Sequence, residues 1–221
     1  MISVIQQQRL LLNVSKELDK PINAYAIGGT AMMFLGFKDA TLDIDIVFDN
    51  EENKETFKKA AKKLGYKEMD TIKIYGVKRN TPDMLKINDE RFDLFVNEVI
   101  DFIFSDKMKE RAKQMHQFGD NLILKIANPH DIILMKCATE RIKDKDDARS
   151  IIENTDIDWD IIIGEAKNQI RLGKERAAFD LGGFLEDLAK ELKEKIPKKV
   201  LDELYEIVKE QAEKKQKENK N

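Results

Sequence analysis

The broadest signal along the chain is a change in the period of its apolar positions. Up to about residue 126, short alternating runs are mixed with helical spacing. Beyond Asn128, nearly every apolar position recurs at three or four residues. This predicts domains at 1–126 and 127–221, and an α/β (α+β) fold class with a mixed sheet, flanking helices and a C-terminal helical domain. Ile2, Ile5, Leu11, Leu12 and Leu18 predict a helix over 2–18, ended by the turn at Lys20-Pro21. The apolar run 24–27 ahead of Gly28-Gly29 predicts a strand entering a tight turn. A helix over 30–37 would follow, with Thr30 as its N-cap and Gly36 near its end. The run TLDIDIVF predicts a strand over 41–48, with Leu42, Ile44 and Ile46 on one face and Asp43, Asp45 and Val47 on the other.

Further along, 51–64 has helical spacing and is stopped by Gly65, while 72–77 and 91–95 read as strands joined by a loop over 80–90. The apolar run 99–104 suits a strand or a short helix, and 122–126 closes the mixed part with a strand. Asn128-Pro129 is a cap followed by proline at the first helical position. Helices are expected over 129–142, 144–153, 158–171, 175–194 and 198–215, before a polar tail, KKQKENKN.

Composition changes this picture only at the margins. With 221 residues and 42% apolar residues the chain can bury a real core, and 37% charge is high for a globular protein. A net charge of −3 argues against a surface devoted wholly to nucleic acid. No run approaches the roughly 18 apolar residues of a membrane span, and no signal-peptide pattern is present. Cys137 is the one cysteine and has no internal partner, so a reducing cytoplasm is the expected setting. It reads as a small core residue. His116, in a basic stretch read as an exposed helix, and His130, near a helix start, are too isolated to suggest a site. The basic runs 58–63 and 107–113 are either solvated faces or guides for a polyanion.

The chemistry concentrates in TLDIDIVF. Two aspartates at i and i+2 share one face of an otherwise apolar strand, with roots about 7 Å apart. Their oxygens can converge on hard cations, and two Mg²⁺ ions suit in-line displacement at phosphorus. A third carboxylate is expected on a neighbouring strand, and Asp93, between Phe92 and Leu94, offers one. Pairing of Asp93 with Arg91 or Lys86 is the alternative. Gly28-Gly29 is either a plain turn or a backbone cradle for phosphate, with the Thr30 hydroxyl beside it.

Ile27-Gly28-Gly29, thirteen residues, Asp43-Ile44-Asp45-Ile46 and later Phe92-Asp93-Leu94 form a pattern. It resembles the nucleotidyltransferase superfamily of the DNA polymerase β type. The run GFKDATLDIDI resembles small prokaryotic members related to abortive-infection and antibiotic-modifying enzymes. Many of those carry arginine four residues before the first Asp. Here Asp39 stands there, so no arginine role carries over. A second block, Pro129 to Lys136 followed by Arg141, Lys143, Asp144 and Asp147, resembles a recurrent segment of the same relatives.

The resemblance implies a nucleoside triphosphate such as ATP with its phosphates on Gly28, Gly29 and Thr30, and with Lys136 reaching toward them. Arg141, Lys143, Asp144 and Asp147 would brace helices. Asp43 and Asp45 would hold two Mg²⁺ ions, and Asp93 would share one and act as general base. The acceptor is left open among a small hydroxylated molecule, an RNA end and a protein side chain. The site is expected between the two domains. The alternatives are a non-catalytic nucleotide- or partner-binding module of the same fold, such as one half of a toxin–antitoxin pair, and an RNA-binding protein working through its lysine-rich helices.

Overall fold

Strand Ile22–Ala26 (β2) lies inside a mixed sheet, paired with a strand on each side. In the computed structural model, which describes residues 1–71, 80–139, 141–192 and 194–218, the chain forms two compact units, Met1–Pro129 and His130–Asn221. The first begins with Ile2–Ser3 (β1) and helix Val4–Glu17 (α1), opened by a capping box between Ser3 and Gln6. Helix α1 buries Gln7, Leu10, Leu11 and Val14, whereas Ile5 of the expected apolar stripe faces water.

After β2 come helix Gly28–Phe34 (α2), strands Ala40–Thr41 (β3) and Ile44–Phe48 (β4), and helix Glu51–Lys63 (α3). Strands Lys67–Met69 (β5), Asp83–Ile87 (β6), Glu90–Val96 (β7), Glu98–Val99 (β8) and Phe102–Ile103 (β9) follow. Helix Asp106–Arg111 (α4) and strands Met115–Phe118 (β10) and Leu122–Ile126 (β11) complete the unit. The sheet runs β10-β11-β2-β4-β7-β6-β5, with β8 and β9 as a small hairpin on β7. The pairs β11–β2 and β4–β7 are parallel and the others antiparallel.

Ile44, Ile46 and Phe48 of β4 are fully buried, as the alternation requires, and Phe57 of α3 packs on Phe48 and Phe92 at 5.6 and 5.3 Å between ring centroids. Burying one such phenyl ring contributes about 1.5–3 kcal/mol. The opposite face changes character along the strands: Asp45 and Asp93 lie at one end, and Val47, Phe95 and Tyr25 are buried at the other.

Several expectations are corrected. The strand over 41–48 is broken: β3 pairs with β1, residues 42 and 43 form a bend, and Leu42 is 55% exposed. Helix α2 starts two residues early, at Gly28, and its cap position is Ile27. The loop expected over 80–90 contains β6, joined to β7 by a tight turn with Asn88 at φ +50°. Residues 99–104, expected as strand or short helix, form the β8–β9 hairpin with a turn at residues 100 and 101, and His116 sits on β10 rather than on a helix, its ring stacked 4.6 Å from that of Phe34. The expected strand over 72–77 lies outside the described residues.

The second unit is helical, beginning within Pro129–Lys136 (α5) and continuing with Ile142–Asn154 (α6), Trp159–Arg171 (α7), Ala177–Ala189 (α8) and Lys198–Glu218 (α9). Ile151, Ile162, Leu181, Leu185 and Leu204 are among its fully buried residues, and α8 packs on both α7 and α9. Among the described residues, no helix is long and apolar enough to cross a membrane.

Candidate active site

The parallel pairing of β4 with β7 places Asp45 directly across from Asp93. Residues in register on adjacent strands project to the same face, so these two carboxylates stand side by side. Asp43 joins them from the bend just before β4, and one oxygen of each of the three lies within 4.8 Å of the others. Asp93 is fully buried. Three carboxylates drawn into so small a space repel one another, and something must hold them there.

Part of that hold comes from backbone and hydroxyl groups. The Asp45 amide donates to Thr30 Oγ1 at 2.8 Å, and the Thr41 hydroxyl donates to Asp43 Oδ1 at 3.4 Å. The Ile27 amide reaches the Asp45 carbonyl at 3.3 Å, while Gln7 Nε2 donates to the Thr30 carbonyl at 3.3 Å. The turn ahead of α2 is thereby tied to β4. Gly28 adopts φ +53°, and a Cβ on it would lie 2.8 Å from Asp45 Oδ2. Glycine is required here twice, for its backbone conformation and for the room it leaves beside a carboxylate oxygen. A Cβ on Gly29 would lie 2.6 Å from Thr41 Oγ1. The second glycine therefore lets the turn close on the residue that steadies Asp43.

A further part of the hold is Arg91. Its Nη2 bonds Asp43 Oδ2 and lies 3.1 Å from Asp93 Oδ2, and its Nε approaches Asp93 Oδ1 at 2.9 Å. Sequence reading treats Arg91 only as an alternative partner for Asp93; in the structure it also bridges to Asp43. The signal lay in its position two residues before Asp93, on the same face of β7. Arg91 thus contacts two of the three carboxylates.

Gly28, Gly29, Asp43, Asp45 and Asp93 are thus brought together. Thr30 is close by, but it is fully buried and its oxygen is engaged by the Asp45 amide. Lys136 belongs to the second unit. Its ammonium lies 2.8 Å from Asp144 Oδ1 and is also bonded by Asp147 Oδ2, with all three side chains buried. Thr139 and Arg141 complete the shell around Asp144. Burial alone would lower the Lys136 pKa, but the fields of Asp144 and Asp147 outweigh it and the net shift is upward. For Asp144, burial opposes ionisation and the pull of Lys136 prevails, so its pKa falls.

A second acidic group, Glu51, Glu55 and Asp83, lies on α3 and β6. It is laced by Lys54 and Lys58, both within 3.0 Å of Asp83 Oδ2, and reads as an ion-pair network.

No protein-family model matches the sequence, and no curated protein matches it. The fold is similar to two solved structures of the aminoglycoside nucleotidyltransferase ANT(2'')-Ia. One is a crystal structure in complex with adenylyl-2''-tobramycin, 15% identical over 82% of this chain and 98% of that chain, with a TM-score of 0.45. The other is a solution structure of this antibiotic-resistance factor, 14% identical over 85% of this chain and 92% of that chain, with a TM-score of 0.43.

Proposed function

We propose that this chain is a Mg²⁺-dependent nucleotidyltransferase that moves a nucleoside monophosphate from a nucleoside triphosphate to an acceptor hydroxyl. The observation that carries the reading is the convergence of Asp43, Asp45 and Asp93 within 4.8 Å on one face of the sheet. Nothing in folding rewards placing like charges in register on adjacent strands. An all-oxygen donor set fits a hard divalent cation, and Gly28, having no Cβ, lets the turn approach Asp45 Oδ2 closely. Asp43 and Asp45 would hold two Mg²⁺ ions and Asp93 would share one of them. When bound, the metal neutralises phosphate charge and favours ionisation of the attacking hydroxyl.

The chain's own groups do the rest in this reading. The backbone at Gly28 and Gly29 receives the phosphates, and Thr30 fixes the position of Asp45. Asp93 accepts the proton of the acceptor hydroxyl as its oxygen bonds to the α-phosphorus. The bond from that phosphorus to the oxygen bridging toward the β-phosphorus breaks, and pyrophosphate leaves. Lys136, held by Asp144 and Asp147, we assign to the architecture of the second unit rather than to the phosphates.

A second reading, a binding module of the same fold without turnover, is favoured by one observation: Arg91 already neutralises part of the carboxylate cluster. Incubation with each α-³²P-labelled nucleoside triphosphate and Mg²⁺ decides between them. Total cell RNA, cell protein and a small-molecule extract serve as acceptors, with Asp45→Asn as control. Label entering one fraction, and lost in the control, establishes transfer and names the acceptor class. Nucleotide binding without any labelled product supports the module, and absence of nucleotide binding overturns both readings.

A further inference from the structure

Arg91 occupies the space that the proposed cation needs. Its guanidinium contacts Asp43 Oδ2 and both Asp93 oxygens, from a side chain that is 17% exposed, against 14% for Asp43 and 0% for Asp93. A planar guanidinium with several N–H donors and a small divalent ion compete for the same lone pairs, and their charges repel at such separations. A cation can therefore settle among these carboxylates only as Arg91 withdraws. Arg91 sits one residue into β7, on a long flexible stem, so withdrawal needs side-chain rotation and no break in the sheet. Once withdrawn, its sheltered charge needs another anion. A triphosphate arriving with the cation supplies one, in the oxygen geometry that a guanidinium fork matches.

We infer that Arg91 is the resident counter-ion of the carboxylate site, exchanged for the cation on loading and then transferred to the triphosphate, so that cation and nucleotide load together. This rests on the reading of Asp43, Asp45 and Asp93 as a cation site. The exchange makes the site selective for the metal–nucleotide complex over the free ion. Free cation must displace Arg91 without supplying it an anion, whereas the complex brings the replacement with it.

The test is calorimetric titration of the full chain with Mn²⁺ alone, and with the α,β-methylene analogue of ATP at saturating Mn²⁺. Wild type is compared with Arg91→Met and Arg91→Lys. Arg91→Met should bind Mn²⁺ alone at least tenfold more tightly than wild type and bind the analogue at least tenfold more weakly. Arg91→Lys keeps the charge but loses the fork, so it should fall between the two on both measurements. It decides the matter if Arg91→Met fails to fold. Equal or weaker Mn²⁺ binding by the variants, with wild type binding Mn²⁺, overturns the role of Arg91 and leaves the cation site standing. No Mn²⁺ binding by wild type or variants, with or without the analogue, overturns the cation site itself and this inference with it.

Discussion

Replacing Gly28 with alanine separates two demands that meet at one residue, and Gly36 provides the control. Both glycines have positive φ, +53° at Gly28 and +79° at Gly36. An alanine in that region costs about 1–2 kcal/mol, of which about 0.4–1 kcal/mol is regained because the unfolded chain is less free. At Gly36 an added Cβ meets nothing within 4 Å, so the net destabilisation should stay near 1 kcal/mol. At Gly28 the Cβ would stand 2.8 Å from Asp45 Oδ2 and 3.5 Å from its Cγ. Carbon–oxygen contacts settle near 3.3 Å or beyond, so the carboxylate must retreat by roughly half an ångström.

Displacing groups that orient a ligand commonly costs about 10–100-fold in metal affinity. Gly28→Ala should lose Mn²⁺ affinity on that scale, whereas Gly36→Ala should keep it while unfolding at a similarly reduced urea concentration. Circular dichroism in urea gives the stability and calorimetry gives the affinity. Equal Mn²⁺ affinities in the two variants would refute the argument that Gly28 is needed for the room it leaves beside Asp45.

Other outcomes follow from the same geometry. Asp45→Asn and Asp43→Asn should each abolish transfer. Asp45→Asn should also melt at or above wild type, because opposed like charges cost up to about 1 kcal/mol, and should melt above Asp43→Asn, which loses a contact to Arg91. Thr30→Val leaves the Asp45 amide without its acceptor and should cost about 1–3 kcal/mol in urea unfolding, with Thr30→Ser restoring most of it. Lys136→Met removes the buried cation shared by Asp144 and Asp147 and should destabilise the helical unit by about 3–5 kcal/mol. The fluorescence of Trp159, the only tryptophan, reports that loss.

The pH dependence of the same cluster has a definite sign. Asp144 has a folded pKa below its ordinary 3.8, so its contribution is present above that value and is lost as pH falls through the lowered pKa. Lys136 is raised above 10.5, so its contribution is complete below that value and fades as pH climbs through the raised pKa. Trp159 fluorescence should therefore report weakening at both extremes and little change between them.

What could be read from the sequence was whatever residue type and period specify locally. The carboxylates at 43, 45 and 93 stood out because charge inside an apolar alternation is costly without a purpose. Gly28-Gly29 stood out because a turn was needed between a strand and a helix. The break at residues 42 and 43 did not show, because strict alternation looks the same whether or not Leu42 leaves the sheet to let β3 pair with β1. Strand β6 was hidden behind Pro82 and the polar Lys86, and β10 is a short polar segment at the sheet edge, where burial imposes no pattern.

The reach of Arg91 to Asp43 spans 48 positions and exists only through the register of β4 against β7, which no local signal encodes. For Lys136 the neighbouring acids were noticed, but which helix faces would meet was not. Only tertiary packing turned Asp144 and Asp147 into its partners.

The facing of Asp45 on Asp93 across two parallel strands also bears on engineering. A screen that rewards only thermal tolerance would favour a neutral residue at position 45, since that replacement relieves a conflict in the folding landscape, whereas Asp93 is kept by its buried contact with Arg91. Variants emerging from such a screen would grow sturdier while the chemistry drained out of them. A stabilised form of this protein is therefore better sought with residues 43, 45 and 93 held constant and diversity directed to the helical unit.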